Sequence, residues 1–235
     1  MNTQLRQPRS DLPPIPERMR LLPIDARGYP VPWFVDWING VPDFRVMDRR
    51  KWWLSIRFGD CWLCGEPVGK WKTFVIGPMC AVNRTTSEPG CHYACAEFAA
   101  MACPFMTLPR AQRRNANLPP HQHQGGMPID RNPGATCLWT TQFFELFDGL
   151  LEAGPVPGAN PGQLLRLGDP KTVQWYAEGR LATREEVWAS IESGLPLLED
   201  LARQQDEIQR RGHECRDELA KQVAAFQQFL PPAAA

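Results

Sequence analysis

Two short motifs, Cys61-Trp-Leu-Cys64-Gly65 and His92-Tyr-Ala-Cys95, constrain this chain more than any other feature. Two cysteines separated by two residues can turn both sulfurs toward one ion, and a following glycine permits the tight turn this needs. His92 and Cys95 are three apart, a spacing that puts both on one face of a helix. Glu88-Pro89 suits the first turn of that helix, and Pro104, after Cys103, suits its end. Together Cys61, Cys64, His92 and Cys95 make the ligand set of one structural zinc ion. With four protein donors the site is closed and has no position for a catalytic water.

Other cysteines compete for this assignment. Cys91 and Cys95 are four apart and could also share a face, and Cys80 could replace His92. A redox-active Cys61–Cys64 pair is a further alternative, although it would not account for His92 and Cys95. Cys103, Cys137 and Cys215 read as small apolar core residues. No apolar stretch approaches the roughly 18 residues of a membrane span, and the polar, proline-rich start has no signal-peptide core. A reducing cytoplasmic setting, no membrane contact and metal-bound thiols are therefore expected.

Between the two pairs, Trp71, Phe74, Val75 and Ile76 suit a strand, and Gly77-Pro78 a turn. The order of knuckle, hairpin and ligand-bearing helix resembles a treble-clef zinc finger over residues 61–103. N-terminal to it, residues 33–38 read as a strand, Asn39-Gly40 as a hairpin turn and residues 43–46 as the partner strand. Asp48 can cap a helix through Phe58 whose first turn, Arg49-Arg50-Lys51, is basic where the helix dipole prefers acid.

Residues 1–20 read as a disordered tail, 21–107 as a tryptophan-rich hairpin plus zinc module, and 108–135 as a linker or long loop. Residues 136–230 read as a strand and helix region, and 231–235 as a frayed tail. Within that region, residues 137–147 suit one strand and 172–176 another. Thr183 and Glu186 form a capping box, Gly194 suits the end of that helix, and Pro196 the start of the next. The last helix, residues 197–230, carries Leu198, Leu201, Ile208, Cys215, Leu219, Val223, Phe226 and Leu230 on one stripe, interrupted by Gln205 and Gly212. That stripe suits packing on the protein's own domain or, alternatively, a weak homodimer seam.

Net charge is zero but uneven: residues 1–120 carry 16 Lys+Arg against 10 Asp+Glu. Arg49, Arg50, Lys51, Arg57, Lys70 and Lys72 flank the first cysteine pair and are interleaved with Trp52, Trp53, Trp62 and Trp71. Basic groups hold phosphate and aromatic faces stack on bases, so this half is a nucleic-acid candidate. The competing reading makes the tryptophans core and the charges ordinary surface. His121 and His123, in a Gly/Pro-rich stretch, are a weak metal candidate, and His213 reads as surface. No phosphate-binding Gly-rich loop and no Gly-x-Ser-x-Gly nucleophile motif is present. A His-Asn-His nuclease would need a free histidine near Asn83, but His92 is already claimed by zinc.

Three stretches carry a wider resemblance: Arg27-Gly-Tyr-Pro-Val-Pro-Trp-Phe-Val35; Phe74-Val-Ile-Gly-Pro-Met-Cys-Ala-Val-Asn-Arg84 with Ala102-Cys-Pro-Phe105; and Trp175-Tyr-Ala-Glu-Gly-Arg-Leu-Ala-Thr-Arg-Glu-Glu-Val187 with Ser190-Ile-Glu-Ser-Gly-Leu-Pro196. They resemble a family of uncharacterised bacterial and phage proteins. The resemblance implies one co-inherited unit of mobile-element origin and brings no activity with it. The expected fold class is α+β: an N-terminal β-hairpin and treble-clef-like zinc module, then a small strand/helix region ending in a long amphipathic helix. The expected function is a zinc-stabilised, non-enzymatic protein that binds nucleic acid through its basic half. A protein-interaction adaptor using the acidic half, or an enzyme whose site the sequence does not display, are the alternatives.

Overall fold

A computed structural model describes residues 6–114, 116, 129–149, 162–210 and 212–233. His121 and His123 lie outside the described residues. The chain is mixed α and β. Its N-terminal hairpin pairs β1 (Val35–Ile38) with β2 (Val41–Met47), Ile38 facing Val41. Asn39 and Gly40 both take positive φ, 51° and 77°, the backbone of a two-residue turn that matches strand twist. Next comes α1 (Arg49–Phe58), whose N-cap Asp48 accepts a hydrogen bond from the Arg50 amide at 2.8 Å.

The remaining strands and helices interleave the two halves of the chain. They are β3 (Lys72–Ile76), α2 (Pro78–Asn83), β4 (Thr85–Thr86), α3 (Tyr93–Ala102) and α4 (Pro104–Thr107), then β5 (Thr136–Thr141), β6 (Phe144–Asp148), β7 (Gln163–Leu167), β8 (Thr172–Ala177) and β9 (Arg180–Leu181). The single strand expected over 137–147 is two: β5 and β6 enter different sheets. One sheet runs β3-β5-β8-β9 and the other β4-β7-β6, with every pairing antiparallel. The strand between the two ligand pairs thus builds its ladder with β5, Phe74 facing Trp139, and not with a neighbour inside the expected hairpin. Within the module, the β3 backbone pairs through an isolated bridge between Thr73 and Cys91.

The sheet containing β5 divides two apolar cores. Phe74, Ile76, Cys137, Trp139 and Trp175 face one core, while Leu138 and Tyr176 face the other. Such alternation is what the two-residue period of a strand produces. All six residues of β5 are buried, as expected of a strand covered on both faces. The first core is closed by α2, by α5 (Arg184–Gln209) and by α6 (Glu214–Phe226). The second is closed by α3 and the cysteine motifs, with Tyr176 donating to Glu97 of α3 at 2.7 Å.

Two sequence expectations change in the C-terminal region. Thr183 and Glu186 do form a capping box, but α5 continues through Gly194 and Pro196. Gly194 is there for packing: a Cβ at this position would come 2.8 Å from Met79 Cγ, so the glycine lets α2 approach α5. The single long helix expected over 197–230 is a helical hairpin. It breaks where Arg210 and Gly212 adopt left-handed φ of 53° and 66°. Asp206 holds the turn, accepting from the Cys215 amide at 2.7 Å and from Arg216 Nε at 2.9 Å. Folding back lets Leu198, Leu219 and Phe226 enter the protein's own core, with Leu201, Cys215, Val223 and Leu230 against it. Ile208 stays exposed.

Residues 6–20 are anchored where the sequence suggests a loose tail. Glu17–Met19 forms one 3-10 turn, the Arg9 amide donates to Gly28 at 3.1 Å, and Arg18 pairs with Glu66. Met19 is buried, and Leu12 and Ile15 pack beside it. A few apolar anchors outweigh the polar composition here. Among the described residues, no helix is long and apolar enough to cross a membrane.

Candidate metal centre and basic surface

The first cysteine pair sits in a turn closed by a bridge between Asp60 and Pro67. The Cys61 amide donates to the Glu66 carbonyl at 2.8 Å, and the Gly65 amide returns to the Cys61 carbonyl at 2.8 Å. Gly65 has φ 81°, and a Cβ there would lie 2.7 Å from Trp33 Cδ1. Glycine is therefore demanded twice, by backbone conformation and by the indole beside it. Trp62 stacks on Phe34 at 4.7 Å, fixing the turn to the hairpin.

The second pair is brought in by the segment entering α3. The Trp62 amide donates to Gly90 at 3.2 Å, and Thr73 and Cys91 exchange backbone hydrogen bonds at 2.9 and 2.8 Å. His92 is the N-cap of α3 with extended backbone, one step outside the helix in which the sequence pattern put it. Its amide donates to Cys61 Sγ at 3.4 Å, its Nδ1 lies 3.4 Å from Cys64 Sγ, and Cys95 Sγ is 4.0 Å from the same nitrogen.

The ligand atoms of Cys61, Cys64, His92 and Cys95 all lie within 4.8 Å of one another. Zinc–sulfur bonds of about 2.3 Å in a tetrahedron set sulfurs roughly 3.8 Å apart, so the cluster needs only slight contraction around an ion. Cys80 and Cys91 fall outside this group. Cys80 packs against the other core, and Cys91 turns its thiol toward the Pro89 carbonyl. His92 Nε2 lies 3.1 Å from the Pro67 carbonyl, which can accept its proton and leave the Nδ1 lone pair facing the sulfurs. Electrostatics also suit a cation. Hydrogen bonds from Cys64, Cys91 and Cys95 draw the Cys61 thiol well below its usual range, while Cys61 holds Cys64 up at about 11. Cys95 is raised too, first by Cys61 and Cys64. Packed thiolates repel one another, and a positive ion among them offsets that repulsion.

The six basic candidates separate in space. Arg49, Arg57 and Lys70 are exposed, and among the described residues no carboxylate pairs with them. Arg50 is exposed but reaches back to Asp48 at 3.3 Å. Lys51 is committed internally, its ammonium donating to the Trp33 carbonyl at 2.6 Å beneath the Trp33 ring. Lys72 lies along the surface and donates to Gly69 at 3.4 Å. The tryptophans separate as well. Trp52 and Trp62 are core, whereas Trp53 and Trp71 are exposed. Phe58 is exposed beside Arg57, and the Lys171 ammonium lies 4.7 Å from the exposed Trp71 ring. Helical periodicity could have flagged Phe58. Nothing in the sequence links Lys171 to Trp71.

No protein-family model matches the chain, and no curated protein or solved structure matches it either.

Proposed function

We propose that this chain is a non-enzymatic binding protein, stabilised by one zinc ion on Cys61, Cys64, His92 and Cys95, that engages nucleic acid through the outer face of α1. The phage or mobile-element origin implied by the sequence resemblance belongs to the same reading. Three thiolates and a neutral imidazole are a zinc set, and four protein donors give the ion an architectural role.

One observation carries the nucleic-acid reading. Arg49, Trp53 and Arg57, at successive i+4 positions, are all exposed on one face of α1, with Phe58 beside them. A buried aromatic face would need no such charges, and two large rings exposed within six residues of one helix make more than a singly scattered surface residue. Cations and exposed rings together match phosphates and bases.

The test is binding of the zinc-replete full chain to labelled single-stranded DNA, duplex DNA and RNA at low and near-physiological salt. Micromolar or tighter binding that weakens steeply with salt is expected. Absence of binding to every probe at low salt would remove the reading.

A further inference from the structure

We infer that the preferred ligand of this surface is a single-stranded nucleic acid, held by base stacking on Trp53, Phe58 and Trp71 between basic side chains. The inference rests on the nucleic-acid reading above and names its substrate class.

The surface begins on α1 and reaches Lys72 past the C-terminal end of that helix. Along α1, Arg49, Trp53 and Arg57 succeed one another every ~6 Å of helix axis, giving the order charge, ring, charge. At its end, Phe58 precedes the C-cap Gly59, whose amide donates to Ser55. A Cβ at Gly59 would lie 3.9 Å from Lys72 Cε, so the Lys72 side chain runs directly past the end of the helix. Lys70 and Trp71 precede Lys72 in the chain, and the Lys171 ammonium sits 4.7 Å from the Trp71 ring. Lys171 is tied to the sheet by its own amide, which donates to Thr140 at 2.7 Å.

Exposure of the rings decides between strand types. Trp53 is 48% exposed, Phe58 65% and Trp71 38%. Bases in a duplex are already stacked on one another and present only their edges and phosphates, so these rings would gain little from a duplex. Unpaired bases offer free faces, and stacking them tolerates any sequence. Trp53 is also prepared for the task. It meets Trp52 edge to face at 5.1 Å, and Trp52 is buried with its indole N–H on the Ser87 carbonyl at 2.8 Å. The exposed ring thus has a fixed neighbour, and less motion is lost when a base settles on it.

The experiment compares oligo(dT) and oligo(rU) of about ten nucleotides with a blunt hairpin duplex, using the full zinc-replete chain and its tryptophan fluorescence. Both single strands are expected to quench the fluorescence and to bind roughly tenfold tighter than the duplex. A preference between them identifies DNA or RNA as the source. Trp53→Ala should weaken single-strand binding roughly fivefold to tenfold, with Trp53→Phe restoring most of it. Arg57→Ala should instead lower the slope of log affinity against log salt by about 0.7. Salt-dependent binding that favours the duplex, with Trp53→Ala silent, overturns the single-strand inference and leaves the wider nucleic-acid reading standing. Loss of all binding at low salt overturns both. Displacement of oligo(dT) by polyglutamate at equal charge would make this a general anion surface and overturn the stacking argument.

Discussion

The Nδ1 of His92 lies 3.4 Å from the Sγ of Cys64, although 28 residues separate them in sequence. The opposite ring nitrogen faces the Pro67 carbonyl at 3.1 Å. Pro67 belongs to the same turn as Cys64, so that turn supplies both a donor sulfur and the group that orients the imidazole. Cys64→Ser should therefore lower bound zinc below one per chain and destabilise the fold. Cys91→Ser, outside the cluster, should keep zinc at one per chain. Metal analysis and thermal melts with and without chelator check both. Full zinc in folded Cys64→Ser, or zinc loss in folded Cys91→Ser, would show that the ligand set is misassigned.

Gly65 and Gly40 offer a paired comparison. Both have positive φ, 81° and 77°, but a Cβ at Gly40 meets nothing within 4 Å while one at Gly65 strikes the Trp33 indole. Gly40→Ala should cost about 1–2 kcal/mol from backbone strain. Gly65→Ala should cost at least twice that and weaken zinc retention, because the indole or the turn must move. Equal effects of the two substitutions in denaturant titrations would refute the steric argument.

Leu138, at the centre of β5, is buried in the core that holds Cys61, Cys64 and Cys95, while its neighbour Trp139 is buried in the other. Leu138→Ala should cost about 2–5 kcal/mol. Since β5 is shared, zinc loss and unfolding of the C-terminal helices should shift together to lower denaturant. Far-UV circular dichroism and a zinc-responsive dye, followed in one titration, test this. Separate transitions would mean that the two cores unfold independently.

Asp206 carries a pH signature. Burial alone would raise its pKa, but Arg216 and the Cys215 amide prevail and hold it at about 2. A carboxylate whose folded pKa lies below its unfolded value stabilises fully above the unfolded value and loses that contribution as pH falls through the folded one. Asp206→Asn should therefore lower Tm by several degrees near neutrality, and the gap from the parent chain should narrow between about pH 4 and pH 2. A gap that does not change over that interval would assign the effect to packing in place of charge.

Local chemistry was legible in the sequence. Asn39-Gly40 makes its turn, Asp48 caps its helix, Thr183 and Glu186 form their box, and the four chosen donors converge. Each of these depends on a few neighbouring residues, or on donors spaced so that each pair reaches one point. The exposed face of α1 was half legible: its charges were apparent, but the separation of Trp52 from Trp53 required knowing which face of the helix met the core.

What tertiary structure alone decided were choices between partners far apart in the chain. Lys72–Ile76 reads as a strand from its own residues, yet its pairing with Thr136–Thr141 is set by the two cores that compete for Val75 and Phe74. Gly194 and Pro196 read as a helix boundary, but Met79 pressing on Gly194 repays the continuous helix with packing that no local propensity describes. Near Arg210, the reverse holds. The apolar stripe could have run on as one helix, and folding it back over Asp206 buries Leu219 and Phe226 in the protein's own core. Short-range helix preferences cost about 1 kcal/mol at a glycine and about 3 kcal/mol at a proline, whereas burying several large side chains is worth about 2–3 kcal/mol for each. Where the two disagree, the burial available only in the folded chain prevails.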